Sequence, residues 1–268
     1  MNTGGDNMKR LMVLVLLLGL TQFSLGQGVA VAAKVVSPEL FNLMKQADSA
    51  HEVKDYDLTM ELLQKALELD KMNDEILWKI SRGYFDFADR KPNDIEYKKP
   101  FLYKGREFAD RALSINDKSA GAHKWYAIHH GQVGEAEGTE QKIKNSYGMR
   151  DHTLLAIQYD PDDDGNYHVM GRWHYALADL SWFERKIAGM IYAKPPDASF
   201  EEALEFFKKA NSIDPADIRN MLYIGYCHDK LGDEDMAAEW LKKAVNANAE
   251  TDSDKALQAE AKEALDDL

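Results

Sequence analysis

Cationic and aromatic residues form the set in this chain whose types and spacing point to binding chemistry. Trp78 and Arg82 stand together, then Lys124, then His168, Arg172 and Tyr175, then Arg219, Tyr226 and Lys230. Arginine and lysine beside aromatic walls hold carboxylates or phosphates, because the guanidinium fork and the ammonium supply donors and charge. A peptide C-terminus, an acidic peptide segment or a phospholipid headgroup each meets that description. The same positions include acidic exceptions, Glu75, Asp86 and Asp229, and Asp48 and Glu52 stand near the start. Solvated helix surface, with long stems covering apolar neighbours, is the plainer reading of such residues.

Other constellations carry less. Asp160-Pro161-Asp162-Asp163-Asp164-Gly165 matches the first half of a calcium loop, but the position that needs a bidentate Glu holds Gly171. A repeat-closing Asp-Pro followed by a helix-capping Asp explains the run more simply. Eight histidines raise the question of zinc. None forms the i, i+4 pair that puts two ligands on one helical face, so packing and surface roles are expected and no metal is assigned. Cys227 is the single cysteine, which excludes an intrachain disulfide and a cysteine-based metal site. Its neighbours give a core-like helix face, so a buried inert thiol is expected. There is no Gly-rich phosphate loop and no nucleophile elbow. The sequence therefore predicts neither an enzyme nor a cofactor.

The elements that must position these residues are helices. At 45% hydrophobic and 29% charged, the chain has ample material for a core. No alternating apolar and polar strand pattern of useful length occurs. Internal periodicity near 34 residues, with small residues where two helices cross, is the tetratricopeptide signature. The clearest copy begins at Ile218: Gly225 sits at the crossing, Leu231-Gly232-Asp233 turns, and Ala237 and Ala244 face helix A. Four earlier copies fall in register near 40–73, 74–119, 120–163 and 164–217. Their small residues include Ala47, Gly105, Ala127 and Gly171. Small side chains let the backbones approach. The middle copies exceed the 34-residue unit by about 12, about 10 and about 20 residues. The last excess runs around 180–196 and keeps a helical pattern until Pro195-Pro196 stops it. An Ala- and charge-rich segment near 252–267 suits a solvated end cap. The expectation is an all-α solenoid of about five tetratricopeptide-like helix pairs with inserts and a C-terminal capping helix, spanning residues 38–268. On that fold, the cations and aromatics occupy the groove-facing second, fifth, ninth, twelfth and thirteenth positions of the repeats.

The formal charge of −13 repels nucleic acid as a whole. Residues 1–33 read differently from the rest. Met8-Lys9-Arg10 precedes an apolar run, Leu11 to Leu20, and Ser24-Leu25-Gly26 offers small residues for cleavage. That is the layout of a signal peptide, since a bilayer span needs about 20 apolar residues. An uncleaved N-terminal anchor with a linker is the alternative.

Three stretches carry a family likeness: His123-Lys124-Trp125-Tyr126-Ala127, Gly171-Arg172-Trp173-His174-Tyr175, and Leu180-Ser181-Trp182-Phe183-Glu184-Arg185-Lys186. In this order and spacing they resemble the regulator of microtubule dynamics family, one member of which is also called protein tyrosine phosphatase-interacting protein. The resemblance covers roughly residues 40–265. It implies a non-enzymatic scaffold or adaptor with a tetratricopeptide-like domain, an association with microtubules, and, from one member, phospholipid binding and tethering. A cleaved signal peptide would instead make this chain a secreted or periplasmic relative, for which a microtubule role would not transfer. An anchored chain with a cytoplasmic domain would keep it.

Overall fold

The computed structural model describes residues 37–191 and 196–268. The segment read as a signal peptide or anchor lies outside the described residues. Within them the chain forms twelve helices and no strand: α1 (Pro38–Glu52), α2 (Tyr56–Leu69), α3 (Asp74–Asp89), α4 (Ile95–Ile115), α5 (Ala120–Glu137), α6 (Thr139–Tyr159), α7 (Asp164–Ala178), α8 (Trp182–Ile191), α9 (Phe200–Ile213), α10 (Ile218–Lys230), α11 (Glu234–Asn246) and α12 (Asp252–Asp266).

Local chemistry sets the helix starts. Side chains of Ser37, Asp55, Asn73, Asp94, Asp163, Asp217 and Asp233 each accept a hydrogen bond from a backbone N–H in the first turn. Thr251 and Asp254 complete a reciprocal capping box on α12.

Packing then gives five pairs: α1 with α2, α3 with α4, α5 with α6, α7 with α9, and α10 with α11. α12 covers the last pair as a cap. The chain is thus an all-α solenoid of tetratricopeptide type, as its periodicity predicts. Two of the inserts are spent on helix length, α4 and α6 having 21 residues each. The third becomes α8, a helix inserted between the two members of a pair.

The small residues do what the pattern requires. Ala47, Ala127, Ala203, Ala210, Ala237 and Ala244 are all buried. At Gly171 an added Cβ would lie 2.7 Å from the Phe207 ring. At Gly105 it would lie 2.0 Å from the His129 ring. Both helix crossings are therefore closer than any side chain permits. Cys227 is buried among Ala203, Phe207 and Ile224, and burial pushes its thiol up to about 12. It is a packing residue, as the sequence predicts.

Candidate partner-binding groove

The first helices of the five pairs stand side by side, joined in order by their side chains. Lys79 of α3 bonds Asp48 of α1 at 2.8 Å. Phe85 of α3 packs on Trp125 of α5 with ring centroids 5.6 Å apart. Lys124 of α5 pairs with Asp163, the N-cap of α7. His168 of α7 bonds Asn220 of α10 at 2.7 Å. The nine expected site residues lie on four of these helices, α3, α5, α7 and α10, but their surroundings differ.

On α3, the Trp78 indole rests against α5, where a Cβ at Gly121 would come within 2.6 Å of it. Arg82 follows one turn later, its guanidinium 5.7 Å from the Trp78 ring. Arg82 is partly buried, and burial lowers its pKa while Asp86 and Asp48 oppose that. On α5, Lys124 is committed to Asp163. On α7, His168 is buried and its pKa is pushed down to about 3, chiefly by desolvation. A neutral imidazole donating Nδ1–H to the Asn220 carbonyl oxygen is a fixed strut between α7 and α10.

Arg172 differs from these. It is exposed, and its guanidinium carbon sits 4.4 Å from the centre of the Tyr223 ring. Among the described residues no carboxylate pairs with it. Tyr223 lies edge-to-face against Tyr175 at 5.6 Å and against Tyr226 at 5.5 Å. Phe200 closes the other side of Tyr175 at 5.2 Å. Burial raises the pKa of Tyr175 and of Tyr223, so both phenols keep their protons. Tyr226 already donates its hydroxyl to Glu260 of the cap helix at 2.8 Å.

The remaining two cations are paired. Arg219 grips Asp217 through Nε at 3.0 Å and a terminal nitrogen at 2.6 Å. Lys230 reaches Asp179 at 2.8 Å. The structure thus brings Arg172, Tyr175 and Tyr226 into one aromatic wall. It leaves Trp78 and Arg82 as a separate cluster two helices away. Tyr223, Phe200 and Trp125 belong to these walls and were missed by the position rule. Tyr223 falls four residues after Arg219, a helical spacing that could have placed it on the same face.

Outside the groove, the residues that carry the family likeness act as struts. The Trp173 indole N–H donates to the backbone oxygen of Ser146 at 2.7 Å. Trp182 and Phe183 instead stand exposed on α8.

The family model described as regulator of microtubule dynamics protein 1-3 matches residues 43–268. Regulator of microtubule dynamics protein 1 of Bos taurus is 37% identical over 242 residues, covering 90% of this chain and 76% of that protein. Regulator of microtubule dynamics protein 3 of Xenopus laevis is 34% identical over 234 residues, covering 85% of this chain and 50% of that protein. Among solved structures, a thermophilic tetratricopeptide repeat protein of Thermus thermophilus superposes with a TM-score of 0.61 at 15% identity. It covers 84% of this chain and 98% of that one, a likeness of fold alone.

These relatives correct the expected secreted or periplasmic location. They are animal proteins named for the regulation of microtubule dynamics, and microtubules are polymers of the cytoplasm. The expectation rests on Met8-Lys9-Arg10, the apolar run Leu11 to Leu20 and the small residues Ser24-Leu25-Gly26, a layout read from local composition alone.

Proposed function

The chain belongs to the regulator of microtubule dynamics family, and on that premise we propose that it is a non-catalytic adaptor whose first-helix face holds an acidic segment of a partner protein. The observation that carries this reading is Arg172. It is a cation stacked on Tyr223, exposed, and without a carboxylate among the described residues. Guanidinium on an aromatic face keeps its N–H donors free for a bidentate acceptor. Tyr175 and Tyr223 add protonated hydroxyls beside it. Arg82, backed by Trp78, offers a second cation further along the face, so an extended acidic segment could engage both. The chain's own acidity of −13 sharpens the selection: an acidic partner gains only where these cations are, and is repelled elsewhere.

Given what the relatives are named for, the tubulin surface, with its acidic tails, is the first partner to try. The experiment is co-sedimentation with microtubules, intact or stripped of their tails by limited proteolysis. Pelleting that is lost on tail removal, and in Arg82→Glu/Arg172→Glu, is the expected result. A double variant that folds and pellets like the parent would refute the reading.

A further inference from the structure

Between α5 and α6 five rings stand in a column. Tyr159 stacks on His123 with centroids 5.8 Å apart, and His123 faces His152 at 5.0 Å. His152 lies 4.2 Å from Tyr126, which stacks on His130 at 5.1 Å. The helices approach closely enough that a Cβ at Gly148 would sit 3.1 Å from Nε2 of His130. Three of the five rings are imidazoles.

Two of them share one hydrogen bond. Nδ1 of His123 is 2.9 Å from Nδ1 of His152, and Nε2 of His123 is 2.9 Å from the backbone oxygen of Asp117. A backbone oxygen can only accept, so Nε2 of His123 carries a proton. In a neutral ring its Nδ1 then has none, and Nδ1 of His152 must be the donor. Both tautomers are thereby fixed. A second proton on His123 could go only to Nδ1, where it would face another N–H across 2.9 Å. The spacing also suits a shared proton better than a metal. Two imidazole nitrogens on one tetrahedral zinc, each about 2.0–2.1 Å from it, stand roughly 3.3 Å apart.

The charges around the column do little to welcome a proton. From α4, Arg106 disfavours charge on His130, and Asp110 lies near Tyr126. On α6, Asp151 is the carboxylate that favours charge on His152, but it already pairs with Arg150 at 2.8 Å. At the α7 end, Asp163 is held by Lys124.

We infer that this column is an acid-released clasp: it holds α5 against α6 at neutral pH, and proton uptake by His152 and His130 opens the pair as the surroundings acidify. Burial holds His152 down to about 4 and keeps His130 below its ordinary value. The sign follows from that depression. The stability these rings contribute is whole above the unfolded value of about 6.5, and is lost as pH falls from there toward 4. For one imidazole with those two values, the opening equilibrium rises about twentyfold between pH 7 and pH 5. The clasp is independent of what the groove holds, although α5 also carries Lys124 and Trp125.

Hydrogen exchange of the α5 and α6 amides in the full chain tests this, with opening equilibria compared at pH 7 and pH 5 after correction for intrinsic rates. Opening should increase about twentyfold or more in the parent, and His152→Gln should remove most of that increase. Equal protection at the two pH values, or the same pH response in the variant, overturns the clasp. Should the variant not fold, the ring signals of His152 in the parent decide by magnetic resonance. A neutral ring at pH 5 supports the clasp, and a midpoint near 6.5 contradicts it.

Discussion

The α3–α5 wall and the α7–α10 wall are built on the same repeat positions, yet they use their polar residues differently. At α3 the polar groups serve the packing. Ser81 donates to the backbone oxygen of Gly105 at 2.8 Å, and His129 of α5 reaches the backbone oxygen of Ser81 at 2.9 Å. Lys79, buried, is held by Asp48 at 2.8 Å and Glu75 at 2.7 Å. Even Arg82 is partly covered. At α7 the buried Asn166, which donates to the backbone oxygen of Asp160 at 2.8 Å, and His168 take the structural roles, and Arg172 is left at the surface. Position in a repeat sets which way a side chain points. The supply of carboxylates from neighbouring elements sets whether a cation remains free to bind anything.

That contrast can be broken most severely at Gly105. Gly105→Ala would drive a methyl into the His129 ring, and the crossing of α4 with α5 has no slack. The expected cost is about 3 kcal/mol, read as a fall in the thermal midpoint of roughly 6–12 °C for a domain of this size. A midpoint within a degree or two of the parent would mean that the α3–α5 wall is looser than its contacts indicate.

Asn220→Ala probes the structural residue of the other wall. It leaves the Nδ1–H of His168 without its acceptor in a buried site, which costs about 1–3 kcal/mol. His168 and His129, held down to about 3 and about 4 by burial, also make both walls acid-sensitive. Each contributes stability that is complete above about pH 6.5 and falls away as pH drops below it. Denaturant midpoints measured between pH 7 and pH 5 should fall accordingly, and a flat profile would contradict the assigned neutral rings.

The smallest effect belongs to the exposed paired cation. Arg219→Ala removes an ion pair whose arginine side chain is 53% exposed and whose Asp217 side chain is 9% exposed, so stability should fall by about 1 kcal/mol. A larger loss in denaturant unfolding would show that the pair anchors α10.

Much of this fold was legible because close helix crossings are written in residue type. Ala47, Gly171 and Gly225 mark the crossings of three pairs, Gly105 marks the approach of α4 to α5, and Asp-Pro at 160–161 and 214–215 closes two. The site was legible only in part. Cations and aromatics could be assigned to one face by position. Which cations were free could not, because, apart from Asp217 beside Arg219, their partners come from distant sequence. Lys124 finds Asp163 39 residues away, Lys230 finds Asp179 51 residues away, and His168 finds Asn220 52 residues away. Location was misjudged for a related reason. The leading apolar run offers only its composition, while the family likeness that bears on location lies in residues 43–268.

The central claim is that Arg172, free on Tyr223, anchors an acidic segment. It is tested most directly by calorimetric titration of a glutamate-rich peptide into the parent and into Arg172→Glu at low salt. A charge-assisted hydrogen-bonded pair contributes about 1.5–3 kcal/mol, so the variant should bind at least tenfold more weakly, with an unchanged thermal midpoint. Equal affinity in the two proteins would contradict the account.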